Sequence, residues 1–130
     1  MADTIQLEVA TPERQLVRET VSEVQIPGKD GYLGILPGHA ALLGLLGAGV
    51  LAYTAGGGRQ YLAIQGGFVE VSEGCVRMLA DVAEPAAEID VARAQADLAS
   101  AQALLPTDPE NALRAVALAK ARIETAQRAA

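Results

Sequence analysis

Apolar and polar residues alternate through the first two thirds of this chain. Ile5, Leu7 and Val9 share one face of Thr4–Ala10, and Thr4, Gln6 and Glu8 take the other. A period of two is that of a half-buried β-strand. Val24 and Ile26 repeat it before Pro27-Gly28, Val69 and Val71 repeat it after Gly66-Gly67, and Val76, Met78 and Ala80 form the last such run. Turn-forming residues punctuate these runs at Pro27-Gly28, Pro37-Gly38, Gly56-Gly57-Gly58, Gly66-Gly67 and Glu73-Gly74. Short strands separated by such turns predict a β-sandwich or barrel.

The pattern changes past Pro85. All 13 glycines lie before residue 75, and alanine and charged residues dominate the remainder, a composition that favours helix. Asp108-Pro109 reads as a helix N-cap followed by proline at the first helical position. Two helices are expected, at 90–105 and 109–127, joined by a short Pro-containing loop and therefore antiparallel. The chain thus divides into a β-domain, 1–85, and a helical hairpin, 86–130. Val91, Leu98 and Leu105 on the first helix and Leu113, Val116 and Ile123 on the second are the expected seam. Alanine fills most other positions, so the seam buries little area, and a weakly docked hairpin with more than one arrangement is expected. The ordinary alternative is a hairpin that stays in place.

Composition narrows the function classes. Of 130 residues, 51% are apolar but only 3% aromatic, and the net charge is −6. An acidic chain with few aromatic rings is poorly suited to nucleic acid or to an anionic bilayer. No apolar run approaches the ~20 residues of a membrane span, so direct membrane insertion is not expected. Met1–Thr4 has neither a basic flank nor an apolar stretch, and no signal peptide is expected. Residues 86–130 hold six acids and five bases, and the second helix carries Arg114, Lys120, Arg122 and Arg128. A basic bias there suits an acidic partner surface; a solvated face explains it equally well.

Catalytic signals are sparse. His39 and Cys75 are the only histidine and cysteine, which leaves no histidine pair for a metal and no internal disulfide. Cys75 opens an apolar strand pattern, where a small buried residue is the ordinary reading. Gly56-Gly57-Gly58-Arg59 lacks the Lys-Ser/Thr ending of a phosphate loop and sits between strand-like segments, so it reads as a hairpin turn. Gly66-Gly67 reads as a bulge or a close backbone approach. Asp90 and Arg93 stand three apart at a helix start and share a face. Capping by Asp90 with an ion pair to Arg93 is the structural reading; Arg93 on a phosphate and Asp90 on a ribose or base is the functional one.

Taken in order, these segments resemble a family. Val24-Gln25-Ile26-Pro27-Gly28 followed by Gly31-Tyr32-Leu33-Gly34-Ile35-Leu36-Pro37-Gly38-His39-Ala40 is similar to the signature of the ε subunit of F-type ATP synthases. Gln65–Val71, Val76–Asp81 and Ile89-Asp90 with Arg93-Ala94 resemble that family's later segments. The resemblance implies an α+β fold: an N-terminal β-sandwich of about ten strands, then an antiparallel helical hairpin. It implies a non-catalytic central-stalk (rotor) subunit of the proton-translocating synthase, with no metal and no required cofactor. The sandwich would couple the γ subunit to the c-ring at the cytoplasmic face of the bacterial inner membrane. By residue-wise match, Lys29, Asp30, Gly31 and Tyr32 form the loop facing the c-ring; many relatives carry an acid where Tyr32 stands. His39, Leu42 and Leu43 match the γ interface. The mobile hairpin would restrain ATP hydrolysis by extending toward the α/β catalytic subunits, with Arg114, Lys120, Arg122 and Arg128 as its inhibitory bases. In certain relatives the Ile-Asp-x-x-Arg-Ala motif binds a regulatory ATP. The positions here are Glu84, Ile89, Asp90, Arg93 and Ala94. The readings outside that family are a freestanding β-sandwich adaptor and a small Cys/His enzyme.

Overall fold

Branched residues at alternate positions form eight strands in a computed structural model, which describes residues 3–130. They are β1 (Ile5–Ala10), β2 (Gln15–Val21), β3 (Glu23–Gly28), β4 (Gly31–Ile35), β5 (Leu42–Leu45), β6 (Ala48–Ala55), β7 (Gly58–Ser72) and β8 (Cys75–Pro85). A 3-10 turn, Ala86–Glu88, then leads into α1 (Val91–Ala103) and α2 (Pro109–Ala129). Hydrogen bonding runs in the order β2-β1-β8-β7-β6-β3-β4, and β5 pairs separately with β7. All pairs are antiparallel except β1 with β8.

The strand count is eight, not about ten, because β7 and β8 each serve both layers without a break. The first half of β7 pairs with β6, and its second half pairs with β5. Likewise the first half of β8 pairs with β1, while its second half continues along the first half of β7. The bend falls at Gly66-Gly67, whose φ values are 69° and 102°. The β7–β8 register is the same on both sides, Gln65 opposite Val82 and Gly67 opposite Ala80. The glycine pair is therefore a close approach rather than a bulge. A Cβ on Gly67 would collide with the Leu79 carbonyl, and one on Gly66 with the Asp81 carboxylate. Beside it the β5–β6 connection turns at Gly47, whose carbonyl accepts from Gly66 N at 3.2 Å while Leu46 N donates to the Gly67 carbonyl at 2.8 Å.

The faces turned inward form one core. Leu7, Val9, Ile26, Ile35, Leu51, Ile64, Val69, Val71 and Val76 are all buried within it. The turns follow their sequences. Gly56 and Gly57 both have positive φ in the tight β6–β7 hairpin, as a two-residue primed turn requires. Gly38 (φ 87°) occupies the third position of the Leu36–His39 turn, closed by His39 N on the Leu36 carbonyl.

The helices begin where their caps lie. Asp90 accepts from Arg93 N and Asp108 accepts from Asn111 N, with Pro109 in the first turn. The seam matches the expected one in part: Leu98, Val116 and Ile123 are half-buried. Val91, Leu105 and Leu113 are exposed, at 38%, 36% and 60%. The buried positions are Ala94 and Ala101 on α1 and Ala112, Ala119, Ala121 and Thr125 on α2. Alanine methyls let the axes approach closely, which large side chains in the same places would prevent. α2 is the inner helix: it packs on β6 and β7 as well as on α1. Ala121 and Thr125 lie on the side of α2 opposite Ala112 and Ala119 at helical spacing, so one side serves α1 and the other the strands. The Thr125 hydroxyl donates to the Ala121 carbonyl at 2.6 Å, which satisfies the one polar group buried there.

Gly67→Ala is expected to destabilise the β-domain by at least about 2 kcal/mol through positive φ and the backbone collision, read as a lowered denaturant midpoint. Tyr53, 6% exposed, has its hydroxyl pKa raised to about 12 by burial and then by Glu19. An unfolded tyrosine ionises near ~10, so the unfolded chain loses this proton first. Stability should hold below about pH 10 and fall between there and about pH 12. Absorbance at 295 nm should carry a late-titrating component that Tyr53→Phe removes.

Candidate functional site

Three regions gather the residues singled out in the sequence. The first lies where the sandwich meets the hairpin. β8 ends with Glu84 and Pro85, the 3-10 turn presents Glu88, and Asp90 caps α1. Glu84, Glu88, Asp90, Arg93, Ala94, Asp97 and Arg122 line one cavity of about 240 Å³. Glu84, Asp90, Arg93 and Ala94 are thus brought together as the motif implied, and Ile89 is not among the lining residues. Arg122 and Asp97, from one helix each, complete the lining. Asp97 was missed although its signal was local: it stands four residues after Arg93 on α1, a spacing that puts the two on one helix face.

The arginines there already have partners. Arg122 Nε donates to Glu84 Oε1 at 2.7 Å, and its Nη1 lies 3.9 Å from Asp97 Oδ2. Arg93 Nε reaches Asp97 Oδ1 at 3.3 Å. Arg122 therefore links β8, α1 and α2 through one guanidinium. Its side chain is 27% exposed and that of Glu84 26%, so this pair is screened less than the others on the surface. A cavity of about 240 Å³ is below the usual range of small-molecule pockets, about 300–1,000 Å³. No aromatic ring lines it. It can hold an anionic group between two arginines, and it offers no stacking surface for a base.

The second region is an outward apolar row on the sandwich. The register sets Leu45 opposite Phe68 and Phe68 opposite Leu79 across β5, β7 and β8. They are 60%, 47% and 41% exposed, and Leu43 nearby is 73% exposed. Leu42, expected beside Leu43 at the interface, is half-buried and packs against the core, because neighbours on a strand point to opposite faces. His39 is exposed in the β4–β5 connection, with Nδ1 2.7 Å from the Ala40 carbonyl. Leu45, Phe68 and Leu79 were missed in the sequence because only strand pairing makes them neighbours.

The third region is the β3–β4 turn. Lys29, Asp30 and Gly31 are exposed at its tip. Tyr32 folds back instead: its hydroxyl accepts from Val50 N at 3.0 Å. The β3–β6 ladder ends at Gln25 opposite Ala52, and Pro27, which has no N–H, packs over Gly49. The phenol takes up the β6 donor that the diverging strands leave free. Tyr32 also lines a groove against α2, with Ala117, Lys120, Ala121 and Glu124.

The four bases of α2 do not form one stripe. Arg122 is ion-paired, Arg128 stacks over the Tyr61 ring at 5.1 Å, and Lys120 borders the Tyr32 groove. The side chain of Arg114 has no ion-pair partner among the described residues, while its carbonyl accepts from Gln65 Nε2 at 2.7 Å. Cys75 Sγ lies 3.8 Å from Glu8 Oε2, and burial foremost raises its pKa. A thiol held protonated is the opposite of an activated nucleophile. Among the described residues there is no cluster suited to a metal ion, and no helix is long and apolar enough to cross a membrane.

Arg122→Gln is expected to weaken hairpin docking by about 1 kcal/mol, a value for a partly exposed ion pair. Faster amide exchange along α2, with the core strands unchanged, is the signature; unaltered exchange in α2 would remove Arg122 from the clasp.

The model of the ATP synthase, Delta/Epsilon chain, beta-sandwich domain matches residues 4–86. The chain is 57% identical to the ATP synthase epsilon chain of Solibacter usitatus over 133 aligned positions, covering 98% of this chain and 99% of that protein. It is 49% identical to the epsilon chain of Koribacter versatilis over 107 positions, covering 82% and 75%. Among solved structures it resembles a chain of the Euglena gracilis mitochondrial ATP synthase OSCP/F1/c-ring assembly, with a TM-score of 0.85 and 25% identity, covering 98% of this chain and 83% of that one. A chain of the Tetrahymena thermophila synthase central stalk/c-ring shares the fold, with a TM-score of 0.55 and 16% identity over 65% of this chain and 68% of that one.

Proposed function

Because the chain belongs to the ATP synthase epsilon family, we propose that it is a non-catalytic central-stalk subunit whose hairpin restrains ATP hydrolysis. The observation that carries the stalk role is the outward row Leu45, Phe68 and Leu79 with Leu43 beside it. Contiguous apolar side chains on an exposed face suit a permanent protein partner. In the proposal that partner is γ, and the tip at Lys29, Asp30 and Gly31 meets the c-ring. The complex then sits as a peripheral assembly on the cytoplasmic side of the bacterial inner membrane.

The restraint rests on how the hairpin is attached. Its faces bury alanine methyls, each contributing about 0.8 kcal/mol, where a leucine would contribute about 1.5–3 kcal/mol. Polar ties supply the remainder: Gln65 to the Arg114 carbonyl, Arg122 to Glu84, and Arg128 on Tyr61. Such ties are exchangeable with those of another protein surface. A switch requires two states within a few kcal/mol of each other, and this attachment suits that range. Release would free Arg122 and Arg128, which join Arg114 and Lys120 in meeting an acidic surface of the α/β catalytic subunits. In the proposal, the cavity of Glu84, Asp90, Arg93 and Ala94 with Arg122 receives the phosphate groups of a regulatory ATP, its base left outside, and the ligand favours the folded hairpin.

Deleting residues 86–130 in the assembled complex is expected to leave assembly intact and to raise ATPase activity severalfold. An unchanged rate would overturn the restraint while leaving stalk membership standing.

A further inference from the structure

We infer that Asp97 is an internal counter-anion that sets how negatively charged a ligand the sandwich–hairpin cavity accepts. The inference deepens the nucleotide reading above and rests on it for the identity of the site. Four carboxylates, of Glu84, Glu88, Asp90 and Asp97, face two guanidinium groups, of Arg93 and Arg122. The lining therefore has an excess of negative charge where a polyphosphate would place more.

The four acids are not equivalent. Asp90 caps α1 through Arg93 N at 3.0 Å, and Glu88 pairs outward with Arg14 on the β1–β2 turn. Glu84 holds Arg122 Nε at 2.7 Å and fastens α2 to β8. Asp97 alone addresses both arginines, Oδ1 toward Arg93 at 3.3 Å and Oδ2 toward Arg122 at 3.9 Å. It lies between the two cations, in the position a bridging phosphate would need. Its side chain is 40% exposed and caps no backbone group among the described residues. Its removal therefore need not disturb the fold.

Two anions cannot share the same pair of guanidinium groups without strong repulsion. A polyphosphate entering the cavity must displace Asp97 or lie beside it. Asp97 thus holds the arginines in place when no ligand is bound and lowers affinity when one arrives. Neutralising it should favour triphosphate most, because the penalty scales with ligand charge. The substitution Asp97→Asn keeps the size of the side chain and its capacity to hydrogen-bond while removing the charge.

The test is calorimetric titration of the full chain and its Asp97→Asn variant with ATP and, separately, with inorganic tripolyphosphate. Circular dichroism establishes that the variant is folded. Asp97→Asn is expected to bind tripolyphosphate about tenfold more tightly than the natural chain, the gain being screened at this exposure. Adding Arg93→Ala, at a side chain 76% exposed, should abolish the gain and so place it in this cavity. Equal affinities in the natural chain and Asp97→Asn, measurable or absent, would overturn the inference. A gain that survives Arg93→Ala would overturn it too. Tripolyphosphate bound more tightly by the variant, with ATP bound by neither protein, would uphold the role of Asp97 and reject the nucleotide reading.

Discussion

The architecture depends on one close crossing. β7 and β8 pass from one layer of the sandwich to the other as a continuous pair, and they do so where Gly66 and Gly67 let backbone meet backbone. Because the ladder is unbroken there, both layers share one register. The inward face of β7 changes phase there, from Leu62 and Ile64 before the crossing to Val69 and Val71 beyond it, with Phe68 turned out. Gly47 turns the neighbouring strand connection at the same level. The outer apolar row and the surface that receives α2 belong to opposite halves of β7, so the crossing fixes them relative to each other.

The hairpin is attached by different physics. Inside the sandwich, large branched side chains interlock, and the loss of one would leave a cavity. Between α2 and the strands, small side chains give close contact with little area, and charged or polar groups line the margins. A surface of that kind is specific in geometry and modest in strength. Arg122 shows the combination best, since one side chain reaches β8 and α1 from α2.

Much of this was legible in the chain itself, and the reasons for success and failure are physical. Strand positions followed from alternation, and the helix starts followed from Asp90 and from Asp108-Pro109. Local rules suffice for such features. The strand count implied by the resemblance was slightly high, because β7 and β8 run through the glycine pair as single strands. The helical seam was legible only in part: Leu98, Val116 and Ile123 are half-buried, whereas Val91 and Leu113 are exposed and the less apolar Ala94 and Ala112 are the residues that bury. Glu84, Asp90 and Arg93 could be proposed as neighbours from a motif, and Asp97 follows Arg93 at i,i+4 spacing, whereas the meeting of Arg122 with that group and the row of Leu45, Phe68 and Leu79 depend on packing between distant segments.

The position of α2 between α1 and the strands gives the molecule a direction in which it loosens. The outermost layer, α1, leans chiefly on its sister helix, so fraying there leaves the contacts of α2 with the strands in place. The inner helix cannot leave alone without exposing both of its flanks to water. Partial opening is therefore a graded sequence that starts at the periphery, and the β-domain is the last to register it.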